Sequence, residues 1–439
     1  MKWALYNLLF AAVYPFLLPG FLARMLRRGG YAARMGDRFA LYPDAVRSSL
    51  GRPGRPFVWI HAVSVGEVQV AGQLMREWRQ VEPDVRFCFS TTSSTGWKMA
   101  MREIGENDVL VYNPLDFPNF VKSALKTVRP RAVVLTESEI WPNFIRTAKR
   151  MGVPVFLVNA RVSDRSAPRY RLGRFFFADV LNSFSRIFAQ SDLDKARLVA
   201  AGAADGIVDV TGSFKFDVAR RNEQKEAELE RWIFGDAGRS GAKPCRILLG
   251  GSTWPGEDEV LLSMYRRFLD AHPERSLLLV IAPRHFEKAD AVEANITAAG
   301  FHCIRRSRQS DNQTIKQSNN PNAVYLADTT GELMGLYGIA DVVFVGKSLC
   351  AHGSQNMIEP CLCGKPTFVG PYTENFRPVV SDLLAADAIV QVSDAAELER
   401  RIGECLDGDG GLGERARAAV EARRGVVARC VAAIREALA

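Results

Sequence analysis

Residues 57–68 read FVWIHAVSVGEV, and the fold turns on how that stretch is taken. Phe57 to Val63 is apolar without alternation, Ser64 and Gly66 break the run, and a periodic segment comes next over Val68–Arg79. A short apolar run that does not alternate is a strand covered on both faces. Ser and Gly placed before a periodic segment start helices, so the stretch reads as strand, tight turn and helix. The same unit recurs at 85–90 (VRFCFS), 132–136 (AVVLT), 153–160 (VPVFLVNA) and 186–191 (RIFAQS). A charged stretch over about 216–243, containing RRNEQKEAELERW, breaks the rhythm and reads as an exposed helix followed by a Gly/Ser linker. The rhythm resumes at 246–251 (RILLGG), 276–283 (SLLLVIAP), 323–328 (AVYLAD), 341–346 (DVVFVG), 366–370 (PTFVG) and 388–392 (AIVQV), with a polar surface loop at 305–322. The expected class is α/β: two doubly wound, Rossmann-like domains facing each other across a cleft. Their expected extents are 24–215 and 244–439, joined by 216–243, with the last helix able to pack back on the first domain.

Composition narrows the partners. The 439 residues carry 57 Lys and Arg against 49 Asp and Glu, a formal net charge of +8, which favours an anionic partner. Eight cysteines without a C-x-x-C pair make no disulfide framework and fit a reducing compartment. Neither half has G-x-G-x-x-G after its first strand, nor G-x-x-x-x-G-K-[ST], which speaks against a dinucleotide oxidoreductase and a P-loop enzyme. Cys350, His352, Cys361 and Cys363 have spacings that match no common zinc pattern, so no metal site is expected. Between Lys2 and Arg24 runs WALYNLLFAAVYPFLLPGFLA, without one side chain charged at neutral pH. About 20 apolar residues suffice to cross a bilayer, whereas Pro15, Pro19 and Gly20 favour a helix lying in the interface. Residues 1–23 are therefore expected to anchor the chain to a membrane in one of these two ways. Arg24, Arg27, Arg28 and Arg34 keep the downstream chain on the cytosolic side.

In open parallel sheets ligands bind beyond the carboxyl ends of the strands. Glu67, Glu137 with nearby Glu139, and Asn159 with Arg161 stand at such ends in the first half. Glu67 reads equally well as a helix-start acid, where the helix dipole would hold its pKa down. Arg161, Arg165, Arg169, Arg171 and Arg174, with Tyr170 and three phenylalanines, suit phosphates beside apolar chains, or else a solvated helix face. In the second half Arg284 follows a strand, and Gly331 and Glu332 open a helix whose N–H groups suit a phosphate or base. Asn356 and Glu359 lie one helical turn apart, with Glu359 suited to accept from ribose hydroxyls.

HAVSVGEV, TESEIWPN, NARVSDRS followed by RY, GSFKFD, APRH, DTTGELMGLYGIAD and N-x-x-EP occur in that order. Together they resemble the 3-deoxy-D-manno-octulosonic acid (Kdo) transferases of lipopolysaccharide synthesis, from the N-terminus to about residue 380. The resemblance implies a GT-B glycosyltransferase fold. It implies inverting transfer of Kdo from CMP-Kdo to lipid IVA, the tetraacylated bisphosphate precursor of lipid A, on the cytoplasmic face of the inner membrane. The implied partners are those two substrates and the lipid surface, with no nucleic acid and no cofactor. It also implies that Glu67 is the general base and that Glu137 and Lys215 stabilise the transition state. Pro283, Arg284, Gly331, Glu332, Leu333, Asn356, Met357, Ile358 and Glu359 would hold CMP, and Arg161, Arg165 and Arg169 are candidates for the acceptor phosphates. The chain departs from the family pattern at Trp254 and Gln355, where the family has histidine, and at Lys347, where it has glycine. Two alternatives stay open: a GT-B enzyme with another nucleotide-sugar donor, separable by competition with CMP and UDP, and a noncatalytic membrane-bound relative. Retention of Glu67, Glu137, Lys215 and Arg284 speaks against the second.

Overall fold

Alternate residues of the first strand, β1 (Val58–His61), enter two different cores. Val58 and Ile60 pack with Val68, Ala71, Leu74, Met75 and Trp78 of the helix Val65–Val81. Trp59 points the other way, edge-on to Phe144 of the helix Pro142–Arg150, among Val121 and Leu125 of the helix Pro118–Val128. Every residue of β1 is buried, which is why its sequence does not alternate. Fully burying one such side chain stabilises by about 1.5–3 kcal/mol, so the strand interiors hold the sheet together and its ends are free for other work.

The computed structural model describes residues 2–28, 32–235, 239, 245–308 and 322–439, with 14, 15, 17–19, 21–28 and 32–33 described for their backbone alone. The bulk of the expected 305–322 loop, most of 236–244 and the side chains of Arg24, Arg27 and Arg28 lie outside the described residues. After β1 come β2 (Phe87–Thr91), β3 (Val109–Tyr112), β4 (Ala132–Thr136), β5 (Val155–Ala160), β6 (Arg186–Ala189) and β7 (Val208–Val210). They form one parallel sheet in the order β3-β2-β1-β4-β5-β6-β7. A second parallel sheet contains β8 (Arg246–Thr253), β9 (Leu277–Pro283), β10 (His302–Arg305), β11 (Ala323–Leu326), β12 (Val342–Val345), β13 (Thr367–Val369) and β14 (Val390–Gln391). Its order is β10-β11-β9-β8-β12-β13-β14. Each sheet is doubly wound. The order reverses between β1 and β4 in the first and between β8 and β12 in the second, and at such reversals a crevice opens beyond the strand ends.

The chain divides into two units, Met1–Val218 with Gly425–Ala439, and Ala219–Arg424. The charged stretch expected as an exposed helix and linker holds the helix Glu223–Phe234, which buries Leu229, Trp232 and Ile233 and packs in the second unit, Trp232 edge-on to Tyr325 of β11. Its Lys225 and Glu226 lie against Gly335 and Gly338 of the helix Leu333–Ile339.

The N-terminal helix, Lys2–Arg28, runs unbroken through Pro15 and Pro19, and its first turns are docked on the first unit. Tyr6 Oη donates to Asp116 Oδ2 (3.1 Å), Asn143 Nδ2 donates to Asn7 Oδ1 (2.8 Å), Trp3 packs on Phe176, and Arg146 lies over the Trp3 ring. Asp116 also accepts the N–H groups of Asn143 and Phe144, so one carboxylate caps a core helix and holds the N-terminal one. The segment expected as a separate anchor is therefore, at its start, part of the domain. Among the described residues no helix is long and apolar enough to cross a membrane. Arg34, counted in the flanking basic cluster, is paired with Asp37 at 2.8 Å.

The C-terminal helix, Val426–Leu438, adds Val427, Cys430, Val431 and Ile434 to the core of the first unit. Asp217 caps it from a distance: its carboxylate accepts the N–H of Gly425 at 2.6 Å and of Val427 at 2.8 Å. Asp217→Ala should lower the stability of this unit by about 2 kcal/mol or more, read as an earlier thermal transition, with Asp217→Asn losing less because it keeps one acceptor.

Candidate functional site

At the reversal of the first sheet, β1 and β4 each end in an acid. Beyond β1, Ser64 caps the helix Val65–Val81 by accepting the N–H of Glu67, and Glu67 Oε2 reaches back to the N–H of Val63 (2.8 Å). This is the reciprocal exchange of a capping box, displaced by one residue. Thr136 Oγ1 stands 3.5 Å from the same oxygen. Glu67 thus does fill the helix-start role, but with one oxygen; its Oε1 makes no hydrogen bond among the described residues. A Cβ placed on Gly66 would meet nothing within 4 Å, so the turn faces open space.

Beyond β4, Glu137 adopts a left-handed backbone (φ 51°) and receives Asn159 Nδ2 at 3.3 Å. Asn159 is also left-handed (φ 53°) and fully buried, and its Oδ1 accepts the N–H of Phe214. One amide thereby ties Glu137 to the segment that carries Lys215. Burial pulls the Lys215 ammonium below its ordinary value, with Glu137 opposing and Arg161 adding to the fall. Burial, against the Val63 N–H and reinforced by Glu139 and Glu137, pushes the Glu67 carboxyl above the usual range. The expectation that the helix dipole would hold it down is overturned: desolvation and two neighbouring acids outweigh one helix terminus. Arg161 is half-buried beside this cluster, whereas Arg165 and Arg169 are exposed.

A residue that sequence reasoning passed over completes the group. His61 is fully buried, with Nδ1 2.9 Å from Ser90 Oγ and Nε2 without a hydrogen bond, 3.6 Å from Glu139 Oε2, the oxygen to which Trp141 Nε1 donates (2.9 Å). Its signal was present: a polar ring inside a strand buried on both faces is seldom idle.

In the second unit Pro283 ends β9, and Arg284 follows with its N–H on Thr253 O (3.0 Å). Asn356 Nδ2 donates to Glu359 Oε1 (3.0 Å). Burial lifts the Glu359 carboxyl, against Asn356 and the nearby charge of Arg284, so Arg284, Asn356 and Glu359 are neighbours. Gly331 is exposed and left-handed (φ 82°) ahead of the helix Leu333–Ile339. Three expected contact residues fare differently. Glu332 is buried and engaged by Arg306 and Thr329, and Met357 and Ile358 turn fully buried side chains into the core, leaving only their backbone for a ligand. Glu257, also missed, is fully buried and accepts N–H groups from Trp254, Lys347, Ser348, Leu349 and Cys350. Among the described residues no three His, Cys, Asp or Glu side chains are grouped to hold a metal ion.

Residues 33–218 match the family described as 3-deoxy-D-manno-octulosonic-acid transferase (kdotransferase). The 3-deoxy-D-manno-octulosonic acid transferase of Haemophilus influenzae is 33% identical over 377 residues, spanning 86% of this chain and 84% of that protein. The chain belongs to the Kdo transferase family. The transferase of the same name from Bordetella pertussis is 36% identical over 377 residues, 83% of each chain. Among solved structures, a putative UDP-N-acetylglucosamine 2-epimerase from Listeria monocytogenes aligns with a TM-score of 0.58 at 12% identity, over 86% of this chain and 96% of that one, a likeness of fold alone. With the two parallel sheets, this gives the Kdo transferase a GT-B architecture. Glu67, Glu137 and Lys215 all fall within the stretch matched by the family.

The carboxylate cluster can be titrated directly. Carbon-13 NMR of glutamate-labelled protein, with Glu67 assigned through Glu67→Gln, should show Glu67 titrating above the ordinary carboxylate range. Glu139→Gln should move it back down, because a removed negative neighbour no longer opposes ionisation.

Proposed function

We propose that this transferase moves Kdo from CMP-Kdo to the lipid A precursor lipid IVA, with inversion. The observation that carries the reading is the cluster at the first reversal. One oxygen of Glu67 is fixed by the backbone, the other makes no hydrogen bond among the described residues, and burial with two acids raises its basicity. An acceptor hydroxyl would attack the anomeric carbon of Kdo while Glu67 takes its proton, and CMP would depart with the bonding electrons. Lys215, paired electrostatically with Glu137, is a nearby positive charge to stabilise the developing negative charge. In the second unit Arg284 would meet the phosphate of CMP and Glu359 the ribose hydroxyls. The exposed Arg165 and Arg169 would meet acceptor phosphates, with Arg161 nearer the cluster.

The reading includes a lipid surface. The docked N-terminal helix exposes Leu5, Leu8, Leu9, Val13 and Phe16, and the chain around Arg169, Arg171 and Arg174 exposes Leu172 and Phe175. Lys2 joins the two, donating to the carbonyl of Phe175 at 3.1 Å. Contiguous exposed apolar side chains among arginines suit an anionic bilayer interface on the cytoplasmic face.

Single-turnover transfer from CMP-Kdo to lipid IVA, read by mass, tests the chemistry. Glu67→Gln should slow it by at least about 10²-fold with CMP affinity unchanged. Arg284→Ala should weaken CMP by about tenfold or more. A near-normal rate for Glu67→Gln would reduce Glu67 to its capping role. Inhibition by UDP but not CMP would point to another donor. The surface is tested separately by Leu8→Glu with Phe16→Glu: both side chains are exposed, so the fold should persist while the protein leaves anionic vesicles in flotation.

A further inference from the structure

At the reversal of the second sheet a cation rests on an indole. Lys347, just beyond β12, places Nζ 4.8 Å from the ring centroid of Trp254, just beyond β8. The lysine is held there firmly. Its backbone is left-handed (φ 56°), a conformation strained for a long side chain. Its N–H and that of Trp254 both end on the buried carboxylate of Glu257 at 2.8 Å, and its carbonyl accepts from Ser354 N at 2.6 Å. The preceding Gly346 presses so closely on β8 that a Cβ there would stand 2.4 Å from Ser252 O. The loop therefore cannot slide to relieve the lysine.

The ammonium itself makes no ion pair or hydrogen bond among the described residues. Trp254 packs edge-on to His285 at 4.9 Å, directly after Arg284 in the chain. In the sheet β8 lies between β9 and β12, so the strand ends carry Arg284, Trp254 and Lys347 in that order. Lys347 stands on the Trp254 ring, and Arg284 leaves the neighbouring strand end, where its backbone N–H is tied to Thr253 O. Arg284 is the one beside Glu359. A cation on a strained, fastened backbone and without a protein anion among the described residues, at the point where doubly wound sheets bind ligands, implies an anion from the ligand.

We propose that Lys347, seated on Trp254, binds the carboxylate of the donor sugar, making this pair a determinant of donor specificity. The proposal rests on the donor reading given above. Two cations match a donor with two anionic groups: Arg284, on the Glu359 side, takes the phosphate, and Lys347, across Trp254, takes the sugar carboxylate. CMP alone offers only the first. Trp254 orients the ammonium and screens its stem from water.

The test compares CMP-Kdo with CMP on the full chain. Lys347→Met keeps the stem on Trp254 and removes the charge; Lys347→Gly removes the side chain and the backbone strain; Lys347→Arg restores a cation. The Met and Gly variants should raise KM for CMP-Kdo about tenfold or more while the Kd for CMP stays within about twofold. Lys347→Arg should recover part of the loss, and Lys347→Gly should melt at a higher temperature, showing that the loss is not one of folding. An unchanged KM in Lys347→Met overturns the proposal. Equal losses for CMP and CMP-Kdo also overturn it, assigning the lysine to the phosphate. Wild-type protein inert toward CMP-Kdo refutes the donor reading itself, and that outcome is recognised before any variant is made.

Discussion

In both units, residues that bear chemistry stand where a parallel strand has just ended, and the backbone there is held in a conformation it would not choose. Glu137, Asn159, Ser252 and Lys347 all have positive φ, between 51° and 56°, at the ends of β4, β5, β8 and β12. A left-handed residue other than glycine costs roughly 1–2 kcal/mol, so each needs a fastening that a loop alone does not provide. Buried polar groups supply it: the Asn159 side chain joins Glu137 to Phe214, and the Glu257 carboxylate gathers backbone donors from two strand ends. The strand interiors, with Val133, Val134, Val343 and Phe344 wholly buried, carry the hydrophobic surplus that makes strained ends tolerable.

The electrostatics of the first site work against the fold, with one sign throughout. A carboxyl raised on folding, as Glu67 is, binds its proton more tightly in the native state than in the unfolded chain. Its contribution to stability therefore falls as pH rises from the ordinary carboxylate range through the raised value. Lys215, depressed by burial, makes the complementary statement: its charged form is disfavoured in the fold, and that penalty is lifted as pH rises through its lowered value. A site with Glu67 ionised and Lys215 charged is the one the proposed transfer would require and the one the fold resists. Asn159 and the Val63 N–H limit that conflict by giving the charges fixed partners.

The centre of each sheet was legible in the sequence because burial on both faces leaves unbroken apolar runs, as in AVVLT at β4 and DVVFVG at β12. The strands that escaped notice are β3, β7 and β10, and all three are sheet edges. VDV and HCIR are short and half-exposed, so their composition carries no run to detect. VLVY of β3 is buried, but under the short helical segment Ala32–Phe39, whose own sequence does not announce that role. At the sites, the positions of Glu67, Glu137 and Arg284 followed from strand ends, which periodicity can locate. What Glu332, Met357 and Ile358 would face did not follow, since a helix-start motif does not say which side meets the core. His61 and Glu257 act through residues distant in sequence, Glu139 and Lys347, so only the folded chain brings their meaning together.

The N-terminal helix shows the same limit from another side. Some 20 residues free of charge read as membrane material, yet the groups that dock it, Tyr6 on Asp116 and Asn7 on Asn143, are uncharged and add nothing to that count. Spacing separates the faces. Trp3, Tyr6, Asn7 and Phe10 repeat at helical intervals toward the domain, and Leu5, Leu8, Leu9, Val13 and Phe16 repeat at the same intervals on the exposed side. A helix that only packed on a soluble domain would carry polar residues on its outer face. Here the domain covers one face and leaves the other apolar, and nothing in the first 16 residues beyond Lys2 carries a charge to keep that face in water. Docking and lipid contact are therefore compatible on one helix, each using its own stripe, and a helix so placed would hold the arginines around Leu172 and Phe175 near the headgroups.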